Sequence, residues 1–172
     1  MRVLGIDPGS RRTGFAVVER EGSRLRALAW GTIALGDGPM PERLRTLYEA
    51  MGALVAEHRP STVAVEGIFH AKNAGSALKL GHARGVALLV ASLNGLEVHE
   101  YAPAVVKRAV TSSGRAEKAQ VQKMVCLLLG LLETPETDAA DALAVAICHA
   151  QTARLPLPKA TRAAAAARKV LP

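Results

Sequence analysis

The sequence predicts an α/β fold, a mixed five-stranded sheet with helices on both faces. Three observations point there. The first third runs in short apolar bursts divided by glycine-rich turns; the spacing becomes helical at Met40; and two later strand-like runs each hand over to a helix.

In chain order, RVLGID (2–7), GFAVVER (14–20) and LRALAWGTIAL (25–35) read as three strands joined through PGSRRTG and REGS. From Met40, Leu44, Leu47, Met51, Leu54 and Val55 recur three or four apart, with Pro41 in the first turn, which predicts a helix. STVAVEG (61–67) is the fourth strand. Residues 73–94 predict a second helix, whose Gly75, Gly81 and Gly85 are expected to admit a close neighbour. LEVHEYAP (96–103) supplies the fifth strand and, through Pro103, a helix from about Ala104; the loop TSSGRAEK leads to another near Glu117. TPETDAADALAVAICHAQ (134–151) predicts the last helix, with Thr134 and Pro135 as N-cap and first-turn residue. One domain is expected over 1–152. Residues 153–172, alanine-rich and basic without an acid, are expected to form a flexible or weakly helical tail.

The 172 residues suffice for one hydrophobic core, and a 49% hydrophobic content excludes a disordered basic chain. Cys126 and Cys148 lie in apolar helical patterns and read as small buried hydrophobes. The N-terminus enters a strand directly, and no apolar run approaches the roughly 18 residues of a membrane span; a cytoplasmic protein is expected. The net charge of +7 points to a polyanionic partner. It is unevenly spread: +1 over residues 1–66, +5 over 67–132, −4 over 133–152 and +5 over the tail.

Four acids stand out by placement. Asp7 ends the first strand, Glu66 ends the fourth, and Asp138 and Asp141 lie near the start of the last helix. Exits of neighbouring strands converge on one crevice in α/β sheets. Asp138 and Asp141, three apart, share a helical face, while Leu143, Ile147 and Ala150 form another that can reach the sheet. Taken singly, Asp7 before Pro8-Gly9 also suits a turn and Asp138 a helix N-terminus; Glu66 after VAV has no such use. Gathered carboxylates repel unless a cation joins them. Oxygen donors suit Mg²⁺ or Mn²⁺, and two such ions per site are a recurrent device for phosphodiester hydrolysis.

GIDPGSRRTG (5–14), Glu66 with AKNAGSALKLG and HARG, GRAEKAQVQ (114–122) and DAADALAVAICHA (138–150) together resemble the RuvC family of Holliday junction resolvases. The resemblance implies a ribonuclease H-like fold. It also implies that Asp7, Glu66, Asp138 and Asp141 form the catalytic, metal-binding set of a homodimer that cuts four-way DNA junctions symmetrically, leaving 5′-phosphate and 3′-hydroxyl ends. A branch-migration motor of the RuvA and RuvB type is the implied partner. Ser112-Ser113-Gly114 departs from the Gly-x-Gly loop of many relatives, and Gly67 and His82 stand where Gln is frequent.

Arg11, Arg12, Lys72, Lys79, Arg84, Lys107, Arg108, Arg115 and Lys118 are candidate DNA contacts, since cations beside an acidic site offset its repulsion of phosphates. The resemblance places Lys107 and Lys118 beside the scissile phosphate. Phe69, three residues after Glu66, fits either a core position or a wedge at the open crossover, and the resemblance favours the wedge. His70, His82 and His149 lack partners at zinc-like spacing, and His149 is expected to be packed or hydrogen-bonded. Two other nuclease-type or binding functions share this pattern: a ribonuclease H-like nuclease of structured RNA or other branched DNA, and a non-catalytic junction-binding protein. A nucleotide-binding kinase built on the same core would need a second half that 172 residues cannot hold.

Overall fold

In the computed structural model, which describes residues 1–67 and 73–153, the strands are β1 (Arg2–Asp7), β2 (Arg12–Glu21), β3 (Arg24–Ala34), β4 (Thr62–Glu66) and β5 (Glu97–Tyr101). They lie in one sheet in the order β3-β2-β1-β4-β5. The pairs β1/β2 and β2/β3 are antiparallel, as tight turns allow. The pairs β1/β4 and β4/β5 are parallel, because helices α1 (Met40–His58) and α2 (Ala74–Leu93) make the crossovers. Helices α3 (Pro103–Thr111), α4 (Lys118–Leu129) and α5 (Thr137–Thr152) complete the chain. The predicted α/β class, five strands and mixed sheet are all present.

The two-residue repeat of a strand sorts its side chains between two cores. Leu4, Ile6, Val17, Val63 and Val65 face α1 and α2, where Leu47, Met51, Val55, Ala87 and Val90 complete an apolar cluster. Val3, Ala16, Val18 and Ala64 face α5, which is backed by Val106 and Val110 of α3 and Val121 and Val125 of α4. By the same alternation Gly5, Asp7 and Glu66 belong to the α5 side.

Three local expectations change. The last helix begins at Thr137 behind Glu136, with no side-chain cap, so Thr134 is not its N-cap. Nor is that helix amphipathic. From Ala139 to Ala150 every residue but Asp141 is buried, because α5 is held between the sheet and helices α3 and α4. The close-packing glycines are not those of α2: Gly81 and Gly85 look onto open space. They are Gly5, where a Cβ would stand 2.4 Å from the Ala142 carbonyl oxygen, and Gly14, where it would stand 1.9 Å from that of Asp138. With Ala at six positions of α5, these glycines let the helix axis approach the strands closely.

α2 is capped by Asn73, whose side chain accepts the Ser76 amide at 2.9 Å. Cys148 is buried and Cys126 half-buried, both as free thiols. Among the described residues no helix is long and apolar enough to cross a membrane. The expected tail lies almost wholly outside the described residues; α5 itself ends at Thr152.

Candidate active site

Strand register and helix placement bring the four acids to one end of the sheet. The parallel pairing that sets Ile6 opposite Val65 carries Asp7 beside Glu66 at the carboxyl ends of β1 and β4. Gly14, paired with Asp7 on β2, lets the first turn of α5 descend until the Asp138 backbone meets the strand. Asp138 and Asp141 then face Asp7 closely enough that both contribute to its ionisation.

The result is electrostatic conflict. Burial, and after it the charges of Glu66, Asp141 and Asp138, push the Asp7 carboxyl up to about 8, and Asp7 shares a hydrogen bond with Glu66. Burial also raises Glu66, opposed by its bond to Asp7 and by the fields of Lys118 and Lys107. The pair therefore holds a proton that ordinary surface carboxylates would release. Asp141 instead has a cation: Lys118 Nζ donates to its Oδ2 at 3.2 Å, and the Lys118 ammonium is held charged above its usual range chiefly by Asp141. Asp138 is met by Arg12, whose Nε lies 3.3 Å from Oδ2, while Arg12 Nη2 reaches Glu136 Oε2 at 2.5 Å.

Such a donor set, all hard carboxylate oxygen with excess negative charge, suits a divalent ion such as Mg²⁺ or Mn²⁺. The Asp7 carboxyl is raised first by burial and then by its neighbours' charges, and a bound cation would relieve that second cause. Among the described residues no three of these groups surround a single point closely enough to ligate an ion. Asp138 and Asp141 are each engaged by a side-chain cation instead.

The candidate DNA contacts separate into groups. Lys107 and Lys118 border the acids; Lys107 is partly buried and close enough to Glu66 to stabilise its charge. Arg108 and Arg115 are exposed on α3 and on the loop that follows it. Arg11 pairs with Asp37 at 2.8 Å, Arg84 with Glu100 at 2.5 Å, and Lys79 is exposed on α2. Phe69, Lys72 and His70 lie outside the described residues. The Ser112 departure proves to be the cap of α3, in the left-handed conformation (φ 63°) that favours glycine.

One arrangement near the site has no counterpart among the sequence expectations beyond the packing of His149. Tyr101 ends β5 opposite Glu66, and its carbonyl accepts the Gly67 amide at 2.8 Å. Its hydroxyl oxygen lies 2.8 Å from Nδ1 of His149 and 3.2 Å from Oγ1 of Thr152, both on α5. His149 stacks on His99 with ring centroids 4.4 Å apart. The strand carrying Glu66 is thus tied, through its neighbour β5, to the helix carrying the two aspartates. A Tyr at a strand end and a His late in a helix gave no signal that they would meet.

Residues 3–149 match the family profile described as "Crossover junction endodeoxyribonuclease RuvC". The chain is 51% identical over 148 residues to the protein of that name from Marinobacter nauticus, covering 86% of this chain and 85% of the relative. Among solved structures it is similar to Thermus thermophilus RuvC in complex with Holliday junction substrate, with a TM-score of 0.83, 36% identity, and coverage of 87% of this chain and 93% of that one. The yeast mitochondrial Holliday junction resolvase shares the fold at 15% identity, with a TM-score of 0.64 and coverage of 87% and 79%.

Proposed function

The chain belongs to the RuvC family of crossover junction endodeoxyribonucleases, metal-dependent nucleases that hydrolyse DNA phosphodiester bonds and resolve Holliday junctions, and we propose that Asp7, Glu66, Asp138 and Asp141 are its catalytic, metal-binding residues. The observation that carries the assignment is the register pairing of β1 with β4. It sets two half-buried carboxylates side by side under a helix that brings two more.

The acids would hold Mg²⁺ or Mn²⁺, two ions per site. A metal held by these acids would supply a coordinated water of lowered pKa and offset charge on the leaving 3′ oxygen. The protein supplies the rest. Asp7 and Glu66, fixed on rigid strand ends, define one side of the site and must shed their shared proton to ligate. Lys118, held by Asp141 and borne by an exposed side chain, would turn its ammonium to a phosphoryl oxygen of bound DNA and stabilise charge as the phosphorus becomes pentavalent. Lys107, Arg108 and Arg115 would grip phosphates beside the site. Lys79, Arg84 and Arg11 are the more peripheral candidates and Arg12 stands beside Asp138; Lys72, and Phe69 as the wedge at the crossover, are carried by the family resemblance.

Resolution without further repair needs two coordinated cuts, for which a two-fold dimer is the natural geometry. The outward face of α2 supports a homodimer. Leu78, Leu89 and Leu93 are 63%, 51% and 63% exposed, and Gly81 and Gly85 lie open between them, leaving room for a second copy. The family resemblance extends the reading to a cytoplasmic enzyme working with a branch-migration motor.

The test is cleavage of a synthetic four-way junction beside linear duplex, fork and RNA controls, with strand-mapped ends. Symmetric paired cuts with 5′-phosphate and 3′-hydroxyl ends, confined to the junction, are expected. Equal cutting of every substrate would overturn junction selectivity. Leu89→Glu should yield a monomer by sedimentation; a variant that stays dimeric would remove α2 from the interface.

A further inference from the structure

Arg12 is exposed, yet it stands beside the acids. Its guanidinium is forked between two carboxylates, Asp138 and Glu136, whereas the neighbouring Arg11 points to Asp37. Asp138 is one of the four acids assigned above. Glu136 sits just before the first turn of α5, and nothing in the hydrolytic chemistry requires it. Beside them a cleft of about 420 Å³ opens between the edge strand β3 and the loop before α5. It is lined by Arg12, Trp30, Thr32, Glu133 and Glu136. That cleft gives the guanidinium somewhere to go. It offers a second carboxylate in Glu133 and an indole face on which a planar cation can stack.

We propose that Arg12 is a resident counter-ion of Asp138, which competes with the divalent ion for that carboxylate and, tethered by Glu136, withdraws into the Trp30 cleft when the ion binds. The inference rests on the assignment of Asp138 to the metal site. Asp138 Oδ2, paired with Arg12 Nε at 3.3 Å, offers its electron pairs either to the guanidinium or to a metal. Glu136 keeps the displaced cation close, so that the change is reversible and the positive charge stays beside the strand to be cut. Lys118 stands in the same relation to Asp141, so each aspartate of α5 carries its own cation. The two acids, one helical turn apart, thus each have a cation within 3.3 Å.

Exposure sets the size of the effect. The Arg12 side chain is 54% exposed and that of Asp138 36%, so the pair belongs among weak surface ion pairs. It tunes metal occupancy and does not block it.

The experiment is Mg²⁺ titration of the full-length protein in the absence of DNA, followed by calorimetry and by the emission of Trp30, the sole tryptophan. Arg12→Gln should bind Mg²⁺ about three- to fivefold more tightly than the parent. In the parent, Trp30 emission should change along the same binding curve; in Arg12→Gln that change should be lost. Arg11→Gln removes the same charge one residue away and should leave affinity within about 1.5-fold, since an exposed charge at that distance acts only through a screened field. Unchanged or weaker Mg²⁺ binding by Arg12→Gln would overturn the proposal, as would equal tightening by Arg11→Gln, which would reduce the effect to diffuse charge. Absence of Mg²⁺ binding by the parent, unaltered in Asp7→Asn, would instead remove the metal-site assignment and the counter-ion role with it.

Discussion

The two faces of the sheet are built from alternate residues of the same strands, yet they do opposite work. Toward α1 and α2 the strands present Leu4, Ile6, Val63 and Val65, all fully buried, against Leu47 and Met51. Toward α5 they present Gly5, Asp7, Ala64 and Glu66, so bulk is given up for close approach and for charge. Among the described residues the α1/α2 side buries no ionisable group, whereas the α5 side holds a protonated carboxyl and a neutral histidine. One face supplies stability and the other spends part of it on a site that water would otherwise neutralise.

Asp7→Asn breaks this contrast most sharply. Loss of a ligand should abolish junction cleavage while leaving junction binding intact. It should also raise Tm at neutral pH without metal. A carboxyl raised from its ordinary value toward 8 stabilises the fold only at low pH, and that contribution is lost as pH climbs through the raised value, so its neutral amide relieves a cost. An increase of roughly 2–4 °C corresponds to about 1 kcal/mol in a domain of this size. Thermal melts at pH 7.5 beside a cleavage assay check both halves, and continued cutting would refute the role of Asp7.

Paired core substitutions come next. Leu4→Ala should cost about 2–5 kcal/mol by leaving a cavity on the apolar face. Gly14→Ala should cost about 3 kcal/mol by driving a Cβ into the Asp138 backbone. Both lower the denaturation midpoint, but at temperatures where each remains folded only Gly14→Ala should lose cleavage, because only it displaces an acid. Equal activity in the two would show that α5 can shift without consequence.

Acid stability offers a third comparison. Burial first, and then His99, hold the His149 imidazole down at about 4, so it is neutral in the folded protein. Its contribution is fully present above the ordinary histidine value near 6.5 and is lost as pH falls from there through 4. The loss is at most about 3 kcal/mol. His149→Gln should flatten that part of the stability-against-pH curve. Denaturant midpoints between pH 7 and 4 measure it, and an unaltered slope would exclude His149 as its source.

The smallest effect is expected at the α3 cap. Ser112→Gly relieves a left-handed residue and should stabilise by up to about 1 kcal/mol, visible as a small rise in Tm.

Much of this was legible along the chain. The alternation in RVLGID and STVAVEG fixes which strand residues share a face, and helical spacing fixes where α1 begins. An acid that breaks an apolar run, as Glu66 does, advertises a site because burial makes it costly. Glu66 stands out on that logic, and Asp7, Asp138 and Asp141 by their placement at a strand end and a helix start and by the family resemblance. Charge counting identified Lys107 and Lys118 as cations but could not tell them from Arg84 or Arg11. The family resemblance singles the two lysines out, and the fold sets them beside the acids while Arg84 pairs with Glu100 and Arg11 with Asp37.

Other features depended on pairs of distant residues. Nothing local marks Gly5 and Gly14 as close-packing positions until α5 is laid across them. The glycines of α2, which looked like packing positions, face outward because their helix presents Ala83, Ala87, Val90 and Ala91 to the sheet instead. Burial of α5 on every side between Ala142 and Ala150 could not be read from its own periodicity: a run of alanines is compatible with one apolar face or with none left over, and the choice belongs to α3 and α4 on its far side. The sequence by itself determined the elements, their order and the residues capable of chemistry, since propensity and alternation are local. The tertiary structure decided the partners: Asp7 with Glu66, Lys118 with Asp141, Arg12 with Asp138, and Tyr101 with His149. Those contacts join residues 23 to 126 positions apart, and nothing local specifies which distant groups a packed core will bring together.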